Sequence, residues 1–275
     1  MRKLTRLLKD HKYLCFLDFE GTQFTHEMIA FGAVFVLIDK NGLIKRTKKP
    51  IKIYVKAKNK IGKYVEDLTH ISEEQLKAEG VSFYTAMTEL KKYCGLAFKK
   101  CSFITFGSHD MRILNQSIAY SFDYPKEITS IIHKNFVDFQ AFLNEYILDD
   151  KGSSYSLIKY CELFGVKEAG DAHDPRVDAI NLANLYNAFI QNKDIVAEEY
   201  KKVLALGNHM PEPVAGVIKK LAAGENVTSN DFDEEIKRYL SWLSILMEEV
   251  ILKGRKKLRK TKLKYLYLPL IGVWI

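Results

Sequence analysis

Short apolar runs separated by polar breaks dominate the first third of the chain. Residues 13–19 and 28–38 are rich in β-branched and aromatic side chains, which predicts two buried strands. Asn41-Gly42 then gives a hairpin signal. A third strand is expected from about 43 to 55, and Pro50 predicts an edge position, a bulge or a break within it.

Capping residues and helical periodicity predict helices after these strands, and residues 101–106 predict one more short strand. The first predicted helix begins after Ser72, and the second begins after Ser82 and continues to about Lys99. A third follows Asp110, and a fourth spans 139–147. The fifth begins after Ser153 or Ser154, and the sixth runs from Pro175 to about Ile190. Asp174 before Pro175 is a typical helix start. Strands followed by alternating helices and strands indicate an α/β fold with a mixed sheet.

The pattern becomes purely helical from about Asp194 onwards. Residues 231–252 form a long amphipathic segment, and Gly and Pro residues interrupt the stretch before it. We therefore predict a domain boundary near residue 193, with one domain over 1–192 and an all-helical C-terminal extension over 193–275.

The net charge of +8 on 275 residues is concentrated in two segments. Residues 253–264 form a tail with eight basic and no acidic residues, and residues 40–63 hold ten Lys or Arg and no acid. The charge of either segment, taken alone, is explained by exposure to solvent. For residues 40–63, protection of a strand edge against aggregation is a second explanation. Together they favour a polyanionic partner, and we expect the tail to contact phosphates. Attachment of the tail to anionic lipid is the alternative.

The chain has four cysteines and no Cys-x-x-Cys pair, which disfavours a zinc site or a disulfide framework. A reducing, cytoplasmic location is therefore expected. We expect no signal peptide, because Asp18 interrupts the only apolar run near the N-terminus. The final apolar run, 265–275, is shorter than the roughly 20 residues that cross a bilayer.

Carboxylates occur at the ends of several predicted elements. Asp18 and Glu20 are two residues apart on a strand, so their side chains project to the same face. Like charges on a buried face need compensation, and a hard divalent cation is the natural partner. Asp110 opens a helix after a strand, Asp178 lies one turn into another helix, and His173 precedes that helix.

Three segments together resemble the DnaQ-like, DEDDh branch of 3′→5′ exonucleases, over about residues 12–190. They are Leu17-Asp18-Phe19-Glu20-Gly21-Thr22, then Phe106-Gly107-Ser108-His109-Asp110 with Leu114, then His173-x-x-x-x-Asp178. The second segment has the form seen in the histone-mRNA exonuclease and bacterial KapD group. The tyrosine branch would place Tyr at position 174, which is Asp here. Leu68-Thr69-His70-Ile71 is similar to the family's Leu-Thr-Gly-Ile turn, with histidine in place of glycine.

The resemblance implies a ribonuclease H-like, mixed five-stranded sheet flanked by helices. It also implies two Mg²⁺ or Mn²⁺ ions held by Asp18, Glu20, Asp110 and Asp178, with His173 as general base. Alternatives for the histidines are that His173 caps the following helix and that His109 is the base.

Two positions depart from the family pattern. Ala30 stands where relatives often have Glu, and Pro175-Arg176 stands where they often have smaller residues and a double Asp. Both departures concern the substrate side.

The substrates implied are the 3′ ends of single-stranded RNA or DNA, with RNA favoured. Gly21 and Thr22 are expected to contact the terminal nucleotide, and Phe24 to stack on its base. Simple packing is an equal alternative for Phe24. Two other functions stay open: a DNA proofreading subunit, and a nucleic-acid-binding regulator that uses the fold without catalysis.

Overall fold

The computed structural model describes residues 2–171, 173–206 and 212–252. The described residues form two compact units: 2–149 with 153–196, and 150–152 with the described residues from 197 onwards. The basic tail, 253–264, lies outside the described residues, and the domain boundary near residue 193 stays a prediction. Nowhere in the described ranges is a helix both long and apolar enough to cross a membrane.

A mixed sheet forms the centre of the first unit. Its strands are β1 Tyr13–Gly21, β2 Met28–Ile38, β3 Ile44–Thr47, β4 Ile51–Tyr54, β5 Cys101–Thr105 and β6 Phe136–Asp138. The order is β3-β2-β1-β5-β6, and β4 pairs with β2 as well. β1 runs antiparallel to β2 and parallel to β5. The sheet is therefore five positions wide, as predicted, and the expected break at Pro50 separates β3 from β4.

Twelve helices surround or follow this sheet in the described residues. They are α1 Arg2–Leu7, α2 Lys63–Thr69, α3 Glu73–Glu79, α4 Phe83–Cys94, α5 His109–Tyr120, α6 Lys126–Lys134, α7 Phe139–Leu143, α8 Leu157–Leu163, α9 Pro175–Gln191, α10 Lys193–Ala205, α11 Glu212–Ala222 and α12 Ser229–Leu252. Helices α11 and α12 pack against each other in the second unit.

The caps that the sequence predicts are present. The side chains of Ser72, Ser82 and Asp174 each accept a backbone N–H bond from the first turn of the helix that follows. His70 ends α2 with a left-handed backbone, φ 55° and ψ 25°. Glycine adopts that conformation without steric cost, which explains why the related turn carries glycine at this position.

Other predicted boundaries were wrong, and α1, α2, α6 and β6 were not predicted. Helix α4 ends at Cys94, because Gly95 has φ +64° and a 3₁₀ turn follows it. Helix α7 ends at Leu143 instead of reaching 147. Helix α8 is capped by Ser156, whose hydroxyl accepts from the Lys159 N–H, and not by Ser153 or Ser154.

The alternation along β1 divides the core into two layers. Leu14 and Phe16 pack on the side of α9, whereas Cys15 and Leu17 pack on the side of α4 and α5. All four side chains are at most 1% exposed. Asp18 and Glu20 continue the row of Leu14 and Phe16, so they face the side that carries α9.

Helix α9 begins in direct contact with β2. A Cβ atom added to Gly32 would lie 1.9 Å from the Pro175 carbonyl oxygen. Gly32 pairs with Asp18 in the antiparallel ladder. The absence of a side chain at this position therefore lets the first turn of α9 approach the strand pair that carries the predicted carboxylates.

Candidate active site

The predicted site residues meet in a cleft of about 540 Å³ near the C-terminal end of β1. Seven of them line it: Asp18, Glu20, Gly21, Thr22, Asp110, His173 and Asp178. A larger hollow of about 850 Å³, between Lys12 and the hairpin at Gly42, is lined by other described residues. The cleft, and not the larger hollow, is therefore the candidate active site.

Three carboxylates belong to β1 or are bonded to it. Asp18 and Glu20 project from the strand, and the Phe19 N–H between them donates to Asp110 Oδ1 at 2.7 Å. Asp110 is only 5% exposed and lies in the first turn of α5. The hydrogen bond fixes this carboxylate against the strand that carries the other two.

The remaining two groups come from the start of α9. The His173 backbone N–H donates to Asp178 Oδ2 at 3.0 Å. His173 has φ +65°, a left-handed conformation that is uncommon outside glycine. One ligand atom from each of Glu20, His173 and Asp178 lies within 4.8 Å of the other two. The turn thus brings an imidazole and a fourth carboxylate to the strand-borne groups.

The carboxylates raise one another's pKa values. Burial, followed by the charges of Asp110, Glu20 and Asp178, raises the pKa of Asp18 well above its ordinary value. Burial, followed by the charges of Asp178 and Asp110, raises the pKa of Glu20 to about 8, and burial raises that of Asp110 to about 7. Burial also raises the pKa of Asp178, against the opposing His173 N–H bond. Burial and mutual repulsion therefore shift all four groups toward their neutral forms, and added positive charge would oppose that shift.

The donor set fits a hard divalent cation. Four carboxylates supply only oxygen ligands, which Mg²⁺ and Mn²⁺ prefer. Bound positive charge would offset both the repulsion among these carboxylates and their loss of solvation. We expect Asp18, Glu20, Asp110 and Asp178 to hold the metal.

Lys52 was not among the predicted site residues. Its ammonium group lies 3.1 Å from Asp174 Oδ2, and the two side chains are only 15% and 26% exposed. Burial alone would raise the pKa of Asp174, but the Lys52 bond and charge bring it below the ordinary value. The same ammonium opposes the upward shift in the pKa of Glu20. Lys52 pairs with Gly32 across β4 and β2, and this register is not readable from the sequence.

A tight turn after β1 forms one wall of the cleft. Thr22 is fully buried; its hydroxyl lies 2.7 Å from the Thr25 hydroxyl and accepts the Glu27 N–H. A contact of that hydroxyl with a nucleotide would require the turn to open, because Thr22 has no exposed surface. Gly21 is also buried, and a Cβ there would lie 2.9 Å from the Ile113 side chain.

Phe24 does not line the cleft and stands on the same turn. Its side chain is 79% exposed, so packing does not explain it. Sequence reasoning missed Tyr64, which lines the cleft and is 65% exposed. An aromatic residue directly after the lysine-rich segment was the available signal for it. Both side chains are free to stack on a base.

The rival base, His109, also lines the cleft. Its ring meets the ring of His26 edge to face, with centroids 5.1 Å apart. Burial lowers the pKa of both imidazoles. Among the described residues, His173 and not His109 belongs to the cluster with Glu20 and Asp178. This arrangement supports His173 as the base.

Comparison with known proteins identifies the family of the chain. The exonuclease family model, RNase_T, matches residues 15–186, more than half of the chain. The chain belongs to this family, in its DEDDh branch of 3′→5′ exonucleases, and it is a phosphodiester hydrolase. Members of the family typically use divalent metals.

Solved structures share the fold at low identity. The nuclease domain of 3′hExo, a DEDDh family member bound to rAMP, is 22% identical with a TM-score of 0.54, over 66% of this chain and 93% of that one. E. coli exonuclease I in complex with a dT13 oligonucleotide is 16% identical with a TM-score of 0.51, over 70% of this chain and 46% of that one. No curated protein sequence matches the chain.

Proposed function

We propose that the protein removes nucleotides one at a time from the 3′ ends of single-stranded RNA, using two Mg²⁺ or Mn²⁺ ions. One observation carries the proposal: four carboxylates and one imidazole converge in a single cleft, beside an exposed aromatic side chain. This combination suits hydrolysis of a phosphodiester at a strand end, where one nucleotide must be held and its phosphate attacked.

The metal, when bound, supplies Lewis acidity toward the attacking water and the phosphate. His173 accepts the proton of the water as its oxygen bonds to phosphorus. The bond between phosphorus and the 3′ oxygen of the preceding nucleotide breaks, and that oxygen takes a proton from solvent. The products are a nucleoside 5′-monophosphate and a strand one nucleotide shorter. The His173–Asp178 hydrogen bond orients the turn that carries the base.

The preference for RNA is supported by two features. The segment Phe106–Asp110 resembles that of the RNA-trimming group. Two solved structures of proteins with this fold concern binding of rAMP and recognition of a histone mRNA stem-loop. The dT13 complex belongs to the same fold, so the fold alone does not distinguish the two nucleic acids.

The test uses 5′-labelled single-stranded RNA and DNA of the same sequence, each with Mg²⁺ or Mn²⁺, and products resolved by length. We expect a ladder of RNA products shortened from the 3′ end, weaker DNA cleavage, and no products with EDTA or with Asp18→Asn. Faster cleavage of DNA would replace RNA by DNA as the substrate. Metal-dependent products that persist in Asp18→Asn would contradict the proposed site.

A further inference from the structure

Residues 56–63, here called the lysine loop, extend from just after β4 to the first residue of α2 and carry a concentrated positive charge. Lys56, Lys58, Lys60 and Lys63 are all exposed, and the loop contains no acidic residue. None of the four ammonium groups makes an ion pair with the residues that the structure describes. The charge is therefore available to a partner in solution.

The loop is held in place by a buried carboxylate. Glu27 is 6% exposed, and its two oxygens accept the Lys58 N–H at 2.8 Å and the Asn59 backbone and side-chain N–H groups at 3.0 Å. Glu73 accepts the Ile61 N–H at 2.8 Å. Hydrogen bonds to Glu27 and Glu73 thus fix the backbone of the loop, while its lysine side chains are exposed to solvent.

The lysine loop adjoins the cleft directly. The Gln23 N–H, from the cleft wall, donates to the Ile61 carbonyl at 2.8 Å. Gly62 has φ +90°, and a Cβ there would lie 2.5 Å from the Gln23 side-chain oxygen. Tyr64, next after the loop, lines the cleft itself. A strand whose last nucleotide lies in the cleft therefore has a lysine-rich surface beside its point of entry.

We propose that the lysine loop binds the backbone phosphates of the single strand upstream of its 3′ end. The proposal rests on the proposed function. Lysine–phosphate contacts hold the strand regardless of sequence, as an enzyme that removes every successive nucleotide requires. Tyr64 would stack on a base between these phosphates and the cleft.

The experiment compares two variants with equal loss of charge. One is Lys56→Gln/Lys58→Gln/Lys60→Gln in the lysine loop. The matched control, Lys45→Gln/Arg46→Gln/Lys49→Gln, removes three exposed charges near the far end of β2. Arg46 pairs with Leu37, nine residues beyond Met28, which is about 30 Å along the strand. All six positions are exposed, so both proteins should fold.

Binding of a fluorescent single-stranded RNA of 15 nucleotides is measured by anisotropy in EDTA, between 50 and 200 mM KCl. Three lost phosphate contacts should reduce the slope of log affinity against log salt by about 2. Between 50 and 200 mM KCl, the fold-loss of affinity of the loop variant should therefore be about 16 times smaller than that of wild type. The control should keep the wild-type slope. In Mg²⁺, the loop variant should raise KM on the long RNA and leave dinucleotide turnover unchanged.

Equal slopes for the loop variant and the control would overturn the proposal. So would an equal rise in KM on the dinucleotide and the long RNA, because a dinucleotide does not extend past the cleft. Because the anisotropy measurement needs no catalysis, it tests the lysine loop even if the wild type fails to cleave. Failure of cleavage alone would count against the proposed function and not against this surface.

Discussion

On one side of the cleft, Asp18 and Glu20 project from β1 and Asp110 is bonded to that strand. On the other side, His173 and Asp178 come from the start of α9. The strand groups are fixed by a ladder that runs the length of β1 and β2. The helix groups depend on the packing of α9 against the sheet, where Ala179 and Leu182 are buried, and on three contacts at the start of the helix. These contacts join Gly32 to Pro175, Lys52 to Asp174, and the His173 N–H to Asp178.

Substitutions on the two sides of the cleft should therefore affect activity in different ways. A change on the strand side removes charge from a site whose geometry the sheet maintains. A change at the start of α9 is expected to move or tilt its groups, because side-chain packing and these local contacts hold them in place of a hydrogen-bonded ladder. The variants below test this distinction, from the largest expected effect to the smallest.

Asp18→Asn should have the largest effect. The substitution keeps the shape of the side chain but removes one of the charges that hold the metal. We expect cleavage to fall at least about 10³-fold, the upper end for loss of one charge-stabilising group. Single-turnover rates on RNA in Mg²⁺ measure it. Asp123→Asn, on the loop after α5, is a control that removes the same charge. Similar losses of activity in both variants would show that Asp18 is not a residue of the active site.

The same variant makes a prediction about stability. Burial and neighbouring carboxylates raise the pKa of Asp18 in the folded state, and that of Glu20 to about 8. The folded protein therefore binds more protons than the unfolded chain, so these groups cost stability as pH rises from about 4 to about 8. In EDTA, Asp18→Asn should melt above wild type at pH 8, with a smaller difference at pH 5. A lower melting temperature at both pH values would make Asp18 a structural residue.

His173→Gly should lose about 10²–10⁴-fold in turnover, as expected for removal of a general base. Glycine is the appropriate replacement, because it accepts φ +65° without strain. Calorimetry with Mn²⁺ should show metal affinity close to that of wild type. Because the imidazole lies within 4.8 Å of two carboxylate ligand atoms, a parallel loss of metal affinity would instead make it a ligand.

Breaking the ion pair between Lys52 and Asp174, at the start of α9, should reduce turnover less than the loss of His173 does. Asp174→Asn keeps a side-chain oxygen that can cap α9 but removes the charge that binds Lys52. We expect turnover to fall about 10-fold, the lower end for partners that orient metal ligands, with KM little changed. Lys52→Gln should behave alike, and Lys52→Arg should restore most of the activity. If the double variant loses the product of the two single losses, the residues act independently and the pair does not position the helix.

The aromatic residues should contribute the smallest effects. Loss of one stacked base is worth about 1 kcal/mol or more, so Tyr64→Ala should raise KM about 5-fold and leave turnover unchanged. Phe24→Ala should have a similar effect. Phe122→Ala provides the control, because Phe122 is also exposed and does not line the cleft. Equal KM values for Tyr64→Ala and Phe122→Ala would show that Tyr64 does not contact substrate.

The strand side of the site could be predicted because it depends on local rules. Alternation along β1 placed Asp18 and Glu20 on one face, and a cap followed by proline placed Asp178 one turn into α9. These groups do lie together in the cleft. Their chemical roles stay predictions until the variants are measured.

What could not be predicted depends on contacts between distant segments. The Lys52–Asp174 pair needs the register of β4 on β2, which follows from packing and not from local pattern. Ser156 was missed because three nearby serines offer equal caps by sequence. The support of the lysine loop by Glu27 joins residues more than thirty positions apart, and a buried glutamate gives no sequence signal.

The close approach at Gly32 has a consequence for the genetics of this protein. Every missense change that one nucleotide can make in a glycine codon introduces a side chain, and each would collide with the Pro175 carbonyl. Every substitution at this codon adds a Cβ atom that clashes with the Pro175 carbonyl, so the distance between sheet and helix cannot change gradually through single mutations. A library randomised at this codon and selected for activity would return glycine, although the residue bears no reactive group. Position 32 would therefore score in such a screen like a catalytic residue, for a reason that lies wholly in backbone distance.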